Sequence, residues 1–175
     1  MMEILKNQTC PICGKKKLEL KEEEKNIDGF GKVYVLSMDC GGCDFSKCDI
    51  ESEEEREGSS QTIIVDSEKD MKIKIVRSSL GTIKIPQIRM SIESGESSEG
   101  FITDVEGLIR KFEAIVEKER DSSEDPSAKK SAKNLLKKLW KVKLGDVPLK
   151  ITIEDPTGNS AIISDKVETK KFKKK

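Results

Sequence analysis

Two cysteine knuckles, Cys10-Pro-Ile-Cys13-Gly and Cys40-Gly-Gly-Cys43, constrain this chain more than any other feature. Two residues between the cysteines of each pair let a tight turn aim both sulfurs at one ion. Two such pairs supply the ligand set of a closed tetrahedral zinc site, so the spacing predicts one structural Zn2+ on Cys10, Cys13, Cys40 and Cys43. Pro11 pre-sets the backbone at the start of the first turn, while Gly14, Gly41 and Gly42 tolerate the cramped dihedrals of a knuckle. With protein atoms in every ligand position, the metal contributes folding energy and leaves no place for water or substrate. Free or disulfide-bonded thiols are the competing reading, which this spacing disfavours. Cys48 is left over as a bystander thiol.

A chain of 175 residues accommodates a small metal module plus one compact domain with its own apolar core. Lys plus Arg equals Asp plus Glu at 33 each, so no global basic field of the nucleic-acid-binding kind exists, and charge is distributed by segment instead. The chain holds no histidine, which removes the hydrolase schemes that use imidazole as base or ligand. It also lacks a glycine-rich nucleotide fingerprint and a phosphate-binding loop ending in Gly-Lys-Ser/Thr. The expectation is a non-enzymatic protein. No apolar run reaches membrane-spanning length and no hydrophobic signal region precedes the first knuckle, so a cytoplasmic location with reduced thiols is expected.

Residues 1–50 read as a zinc ribbon, with short strands at 15–20 and 31–38. The connection around Asn26, Asp28, Gly29 and Gly31 carries turn chemistry, and Phe30 is the aromatic group available there for a partner or for packing on the small sheet. Residues 51–60, rich in glutamate and closed by Gly58-Ser-Ser, read as an acidic solvated linker. From 61 to 165 the pattern predicts a β-domain. Strands are expected at 62–65, 73–76, 82–85, 88–92, 147–153 and 161–164, with a helical hairpin inserted at about 103–141. Thr103 with Glu106 reads as the capping box of the first helix. The second helix carries Lys129, Lys130, Lys133, Lys137, Lys138 and Lys141 beside Trp140, and residues 166–175 form a basic tail; together these are the segments through which nucleic acid would be bound.

Four blocks in one order complete the reading: the two knuckles with Asp49-Ile50; Arg77-Ser-Ser with Gly81-Thr-Ile-Lys-Ile-Pro86; Gly100-Phe-Ile-Thr-Asp-Val-Glu-Gly107; and Asp155-Pro-Thr-Gly-Asn-Ser160. In this combination, over about residues 8–165, the chain resembles the ZPR-type zinc-finger family in its single-module archaeal form. The resemblance implies a mainly β, α+β architecture: a four-cysteine zinc ribbon followed by a double-stranded β-helix-like domain with a helical hairpin. It also implies a protein-binding role, as a binding, folding or assembly factor for translation elongation factor 1-alpha, which eukaryotic relatives carrying the module twice bind. The positions it marks as constrained are Arg77, Ser78, Gly81, Thr82, Glu106, Gly107, Asp155, Gly158 and Asn159. Of these, Arg77, Ser78, Asp155 and Asn159, with Phe30, are the candidate partner-binding residues, and the ribbon and β-domain are expected to clasp a client between two faces. Leu80 departs from the small polar residue expected in the Arg-Ser turn. The alternative to protein binding is a zinc-ribbon nucleic-acid-binding protein acting on RNA, in translation or in transcription.

Overall fold

The computed structural model describes residues 2–95 and 97–173. Strands β1 (Met2–Thr9), β2 (Lys16–Ile27), β3 (Gly31–Cys40) and β4 (Ser46–Ser52) form an antiparallel meander in sequential order. This is the ribbon, longer than its apolar alternation suggested. β1 has no legible period because its pairing with β2 is irregular between Leu5 and Thr9, where Asn7 takes a left-handed φ of 58°.

The remaining strands are β5 (Ser59–Val65), β6 (Lys74–Arg77), β7 (Thr82–Ile85), β8 (Met90–Ile92), β9 (Phe101–Asp104), β10 (Leu149–Asp155), β11 (Ala161–Ile163) and β12 (Glu168–Lys171). They form a five-stranded sheet, β12-β5-β10-β7-β8, and a three-stranded sheet, β11-β6-β9, the two-layer double-stranded β-helix, or jelly-roll, arrangement. β10 shows the period-two logic plainly: Leu149, Ile151, Ile153 and Asp155 are buried while the residues between them are more exposed. Between β9 and β10 the helices α1 (Val105–Ser122) and α2 (Pro126–Lys143) form the expected hairpin. Val105, Leu108, Ile109 and Phe112 of α1, with Leu139 and Val142 of α2, join the core made by Ile63, Ile75, Ile83, Ile151 and their neighbours.

Three expectations are corrected. The N-cap of α1 is Asp104, whose carboxylate accepts the Gly107 N–H at 2.7 Å; Thr103 lies one step earlier in β9, paired with Ile75. Residues 51–60 are not a free linker: Glu51 and Ser52 belong to β4, Ser59 and Ser60 to β5, and the Arg56 guanidinium stacks 4.0 Å from the Phe30 ring centroid. The segment 166–175 is not wholly a tail, since Glu168–Lys171 pairs with β5; Lys174 and Lys175 lie outside the described residues. In the last two cases polar side chains suggest solvation although the backbone is hydrogen-bonded.

The three-stranded sheet is covered on both faces. Ile75 and Ile162 point into the main core, while their neighbours Val76 and Ala161 pack with Ile27, Phe30, Val33 and Ile50 of the ribbon. The turn between β2 and β3 therefore rests on β11, close enough that a Cβ on Gly29 would meet Ile163 Cγ2 at 2.7 Å. The zinc knuckles occupy the other end of the ribbon.

Lys166, just before β12, reaches back to Asp66 at 2.9 Å and to buried Asp70 at 2.9 Å; Asp70 also accepts the N–H groups of Asp66 and Ser67. Burial pushes the Asp70 carboxyl up, but the Lys166 ammonium and these donors outweigh it and bring it from 3.8 down to about 2. A depressed carboxyl stabilises the fold fully above its unfolded value and loses that contribution as pH falls toward the folded value. Lys166→Met is accordingly expected to lower the thermal midpoint at pH 7 and to have much less effect near pH 2. Equal losses at both pH values would show that Lys166 acts through packing alone.

Candidate metal centre and the junction beneath it

Backbone hydrogen bonds build both knuckles. Gly14, at φ +69°, donates its N–H to Cys10 O at 2.9 Å, and Cys10 N–H is held by Lys15 O at 3.0 Å. In the second knuckle, Cys40 donates to Phe45 O and Gly41 to Lys17 O, which ties it to the first. The four sulfurs then lie within 4.8 Å of one another, with Cys10–Cys43 at 3.8 Å and Cys13–Cys40 at 3.7 Å. A tetrahedron with Zn–S bonds of about 2.3 Å has edges of about 3.8 Å, so the donor set fits Zn2+ in both chemistry and spacing. Ile12 N–H and Gly42 N–H point at the sulfurs of Cys10 and Cys40 at 3.4 and 3.3 Å, donors that stabilise thiolate charge. Leu18, Leu20, Met38 and Phe45 close around the cluster. The four cysteines are thus positioned to coordinate one structural Zn2+, which supplies charge neutralisation and a cross-link. Cys48 lies outside the cluster on β4, its thiol pushed up chiefly by burial.

Thiols this close cannot all ionise without a cation. Burial raises the Cys10 thiol, yet the N–H groups of Cys13 and Ile12 outweigh it and bring it to about 7. For Cys43 the Phe45 N–H acts downward, but burial and the neighbouring thiols prevail and push it up to about 12. Zinc loading of the apo chain at neutral pH is therefore expected to release protons, with affinity falling as pH drops. Calorimetry in buffers of different ionisation enthalpy measures this, and a buffer-independent heat would contradict it. Chelation is expected to unfold the ribbon while the helical circular-dichroism signal of α1 and α2 persists.

The second cluster of polar groups lies where the ribbon meets the β-domain, and four of the five residues read as partner-binding are buried there. Arg77 is 1% exposed; it donates to the carbonyls of Glu99 at 2.5 Å and Glu93 at 3.0 Å and to Ser98 Oγ at 2.6 Å, closing the loop after β8. Ser78 Oγ donates to Asp155 Oδ2 at 2.7 Å, and Asp155 also takes the Ser160 hydroxyl at 2.5 Å and the Thr157 N–H at 2.7 Å. Burial acts to raise the Asp155 carboxyl, but the hydroxyls of Ser160, Thr157 and Ser78 and the Thr157 N–H hold it below the usual range. Phe30 is in the ribbon–sheet interface, and half-buried Asn159 accepts the Ser52 N–H at 3.1 Å through its Oδ1. A carboxylate or guanidinium sealed from solvent has no surface to offer a partner: Arg77, Ser78 and Asp155 tie segments of the β-domain to one another, while Phe30 and Asn159 make contacts between the ribbon and the β-domain. Leu80, by contrast, is half exposed at the end of this turn.

Asp49 completes the junction from the ribbon side, accepting the Ser79 N–H at 2.8 Å and its hydroxyl at 2.5 Å, while Gly100 N–H donates to Cys48 O at 2.8 Å. A Cβ on Gly100 would sit 2.9 Å from Ile50 N, and one on Gly81 would strike Ser160 Oγ at 2.4 Å. Sequence reading placed Asp49 in a family block without a role; its carboxylate-to-turn contact spans 30 residues and leaves no local signature. Asp155→Ala strands the Ser78, Ser160 and Thr157 donors and is expected to cost roughly 2–4 kcal/mol, read as a denaturant midpoint shift. An effect below about 0.5 kcal/mol would contradict this role.

The ZPR1 jelly-roll domain profile matches residues 69–175. The chain is 37% identical over 169 residues to an uncharacterised ZPR1-like protein of Pyrococcus horikoshii, covering 94% of this chain and 76% of that one. It is 33% identical over 168 residues to a ZPR1-like protein of Methanocaldococcus jannaschii, covering 95% and 85%. The zinc finger chaperone zpr1 of Schizosaccharomyces pombe is 29% identical over 140 residues, which are 78% of this chain and 30% of that protein. With its four-cysteine ribbon joined to a jelly roll through the Arg77–Ser79 turn, and with relatives matching along nearly its whole length, the chain belongs to the ZPR1 family of zinc-binding proteins.

Proposed function

We propose that this chain is a zinc-dependent binding and folding factor, not an enzyme, whose client is translation elongation factor 1-alpha in the cytoplasm. The family resemblance supplies the client, and the chaperone name of the fission-yeast relative supports the class of activity. The observation that carries the reading is an apolar groove of about 190 Å³ on the ribbon, lined by Leu5, Leu20, Leu36 and Met38 and rimmed by Glu3, Lys21 and Glu22. Leu20 and Met38 also pack against the cysteine cluster, so zinc supports the floor of this groove. An apolar centre inside a charged rim is the anatomy of a protein-binding patch, and this volume accepts one or two apolar side chains. In this reading the ribbon at 1–50 grips the client and the β-domain at 61–165, joined through 51–60, sets its orientation. Phe30 and Asn159 then serve binding by fixing the angle between the two, together with Asp49 on Ser79, and Arg77, Ser78 and Asp155 serve it by holding the turn that Asp49 grips. No helix among the described residues is long and apolar enough to cross a membrane.

Calorimetric titration of the zinc-loaded chain against the elongation factor, with GDP, with a GTP analogue and without nucleotide, tests the proposal. Nucleotide-sensitive binding with weak salt dependence is expected. Leu36→Ser is expected to weaken it roughly tenfold or more, the loss typical of a residue at the centre of an interface. Absence of binding in every nucleotide state would overturn the client assignment.

A further inference from the structure

The charge of this chain sums to zero, yet one face of α2 is wholly cationic. The helix, PSAKKSAKNLLKKLWKVK, holds no acidic residue. At 1.5 Å rise and 3.6 residues per turn, Lys130, Lys133, Lys137 and Lys141 fall within about 80° of arc and extend over about 16 Å. All four are exposed, and among the described residues none lies within ion-pair distance of a carboxylate. The other lysines of the helix are engaged: Lys143 with Glu113 at 2.8 Å, Lys138 with Gln87 O at 2.9 Å, and Lys129 near enough to Asp121 to lower its carboxyl, after the larger effect of Arg120.

This row works against the stability of its own helix. Lys133, Lys137 and Lys141 are spaced i, i+4, where like charges cost about 0.2–0.5 kcal/mol per pair. The neighbouring helix manages the same spacing differently, with Glu106 and Arg110 paired at 2.6 Å. Among the described residues no carboxylate pairs with the α2 row, only Lys141 gains from the helix C-terminus, and the opposite face of α2 already satisfies the core through Leu139 and Val142. At the end of the row stands Trp140, the only tryptophan of the chain, 57% exposed although it is the residue with the largest apolar area to bury, with Leu144 beside it, 45% exposed. A linear run of flexible ammonium groups ending in an open aromatic face matches a phosphate backbone with a base stacked at one end. An acidic protein surface would use the charges, but a base beside a phosphate offers the indole a flat stacking partner that a row of carboxylates lacks. An anionic bilayer would find only Trp140 and Leu144 as open apolar surface beside the row, since the remaining apolar side of α2 packs on the core.

We propose that the outer face of α2 binds single-stranded nucleic acid, with Lys130, Lys133, Lys137 and Lys141 on successive phosphates and Trp140 under a base. The site is separate from the ribbon groove and stands independently of the elongation-factor reading.

The test titrates the zinc-loaded full chain into fluorescein-labelled 12-nucleotide oligouridylate and oligodeoxyuridylate across a series of salt concentrations, with tryptophan emission followed in parallel. Four neutralised phosphates give a log K against log salt slope of about −3 on a single strand, and stacking quenches the sole tryptophan. Replacing the four lysines by Gln should flatten the slope toward zero and weaken binding at least tenfold at low salt. Trp140→Leu should weaken it roughly tenfold while leaving the slope unchanged. Preference for oligouridylate identifies RNA as the ligand, and equal binding identifies single strands of either sugar. Relief of repulsion should leave the melting temperature of the lysine variant equal or raised at low salt, so a lowered melting temperature would assign the row a structural role and overturn the proposal. Undetectable binding at low salt, or an affinity that falls equally with a Lys69→Gln/Lys72→Gln control, would also overturn it. So would a lysine variant that loses only the elongation factor or anionic phosphatidylserine vesicles while its oligonucleotide affinity stays intact.

Discussion

The turn at Arg77–Ser79 is gripped by two carboxylates from different parts of the chain, and the relation of the ribbon to the jelly roll depends on that grip. Asp49, on β4, accepts both donors of Ser79, and Asp155, at the end of β10, accepts the hydroxyl of Ser78. A buried carboxylate is tolerable only when its lone pairs are filled, and here hydroxyls and main-chain amides fill them. Arg77 adds a positive charge nearby, felt by its guanidinium as interaction with Asp49 and Asp155 that opposes the downward effect of burial. Because both carboxylates are matched to named donors, they fix one geometry for the turn even though Arg77 Nε finds no partner, whereas the apolar contact of Phe30, Val33 and Ile50 with Val76 and Ala161 would alone permit sliding.

Metal and junction occupy opposite ends of the same strands, which accounts for why the ribbon needs both. Around the cysteines the apolar cluster consists of Cys10, Leu18 and Cys40 with a few partly buried neighbours, far too small to hold a four-stranded meander by burial alone. Zinc fixes one end through four bonds, and docking on the three-stranded sheet fixes the other through the turn at Gly29 and Phe30. The middle of the meander is then held at both ends without a core of its own. Leu36 remains partly open along it, and Leu20 and Met38, which pack on the cysteine cluster, keep part of their surface exposed as well.

How much of this was legible in the sequence follows the range of each interaction. The knuckles and the helical hairpin were plain, because a four-residue spacing and a 3.6-residue period are local signals. So was the turn Asp155–Ser160, whose Asp and Gly do what turn residues do, although its destination inside the junction was not. Two of the four ribbon strands, β1 and β4, carry no legible period, and β2 runs beyond its expected end because Glu22, Glu23, Glu24 and Lys25, polar as they are, pair with β3, the first two also with β1. Phe30 and Arg77 were assigned to a partner surface for a related reason. A lone aromatic in a turn and a lone arginine before a serine pair have no local explanation, and their actual partners, Arg56 and the carbonyls of Glu93 and Glu99, belong to segments that only the fold brings near.

The blocks that carry the family resemblance therefore mark how the two parts of the molecule are joined, and the surfaces left for partners fall elsewhere. The ribbon groove and the lysine face of α2 both lie outside the Arg77–Ser79, Gly100–Gly107 and Asp155–Ser160 segments. Such a separation has a physical consequence. At the paired carboxylates of the junction substitution is costly, because each loss strands a buried donor or acceptor at about 1–3 kcal/mol. Exposed leucines and lysines can be exchanged at a few tenths of that. A fixed joint with adjustable faces separates how the framework holds together from what its surface presents: the polar contacts that set the ribbon on the β-domain are Asp49 on Ser79 and Asn159 on Ser52, and Asp155 on Ser78 steadies the turn that Asp49 grips.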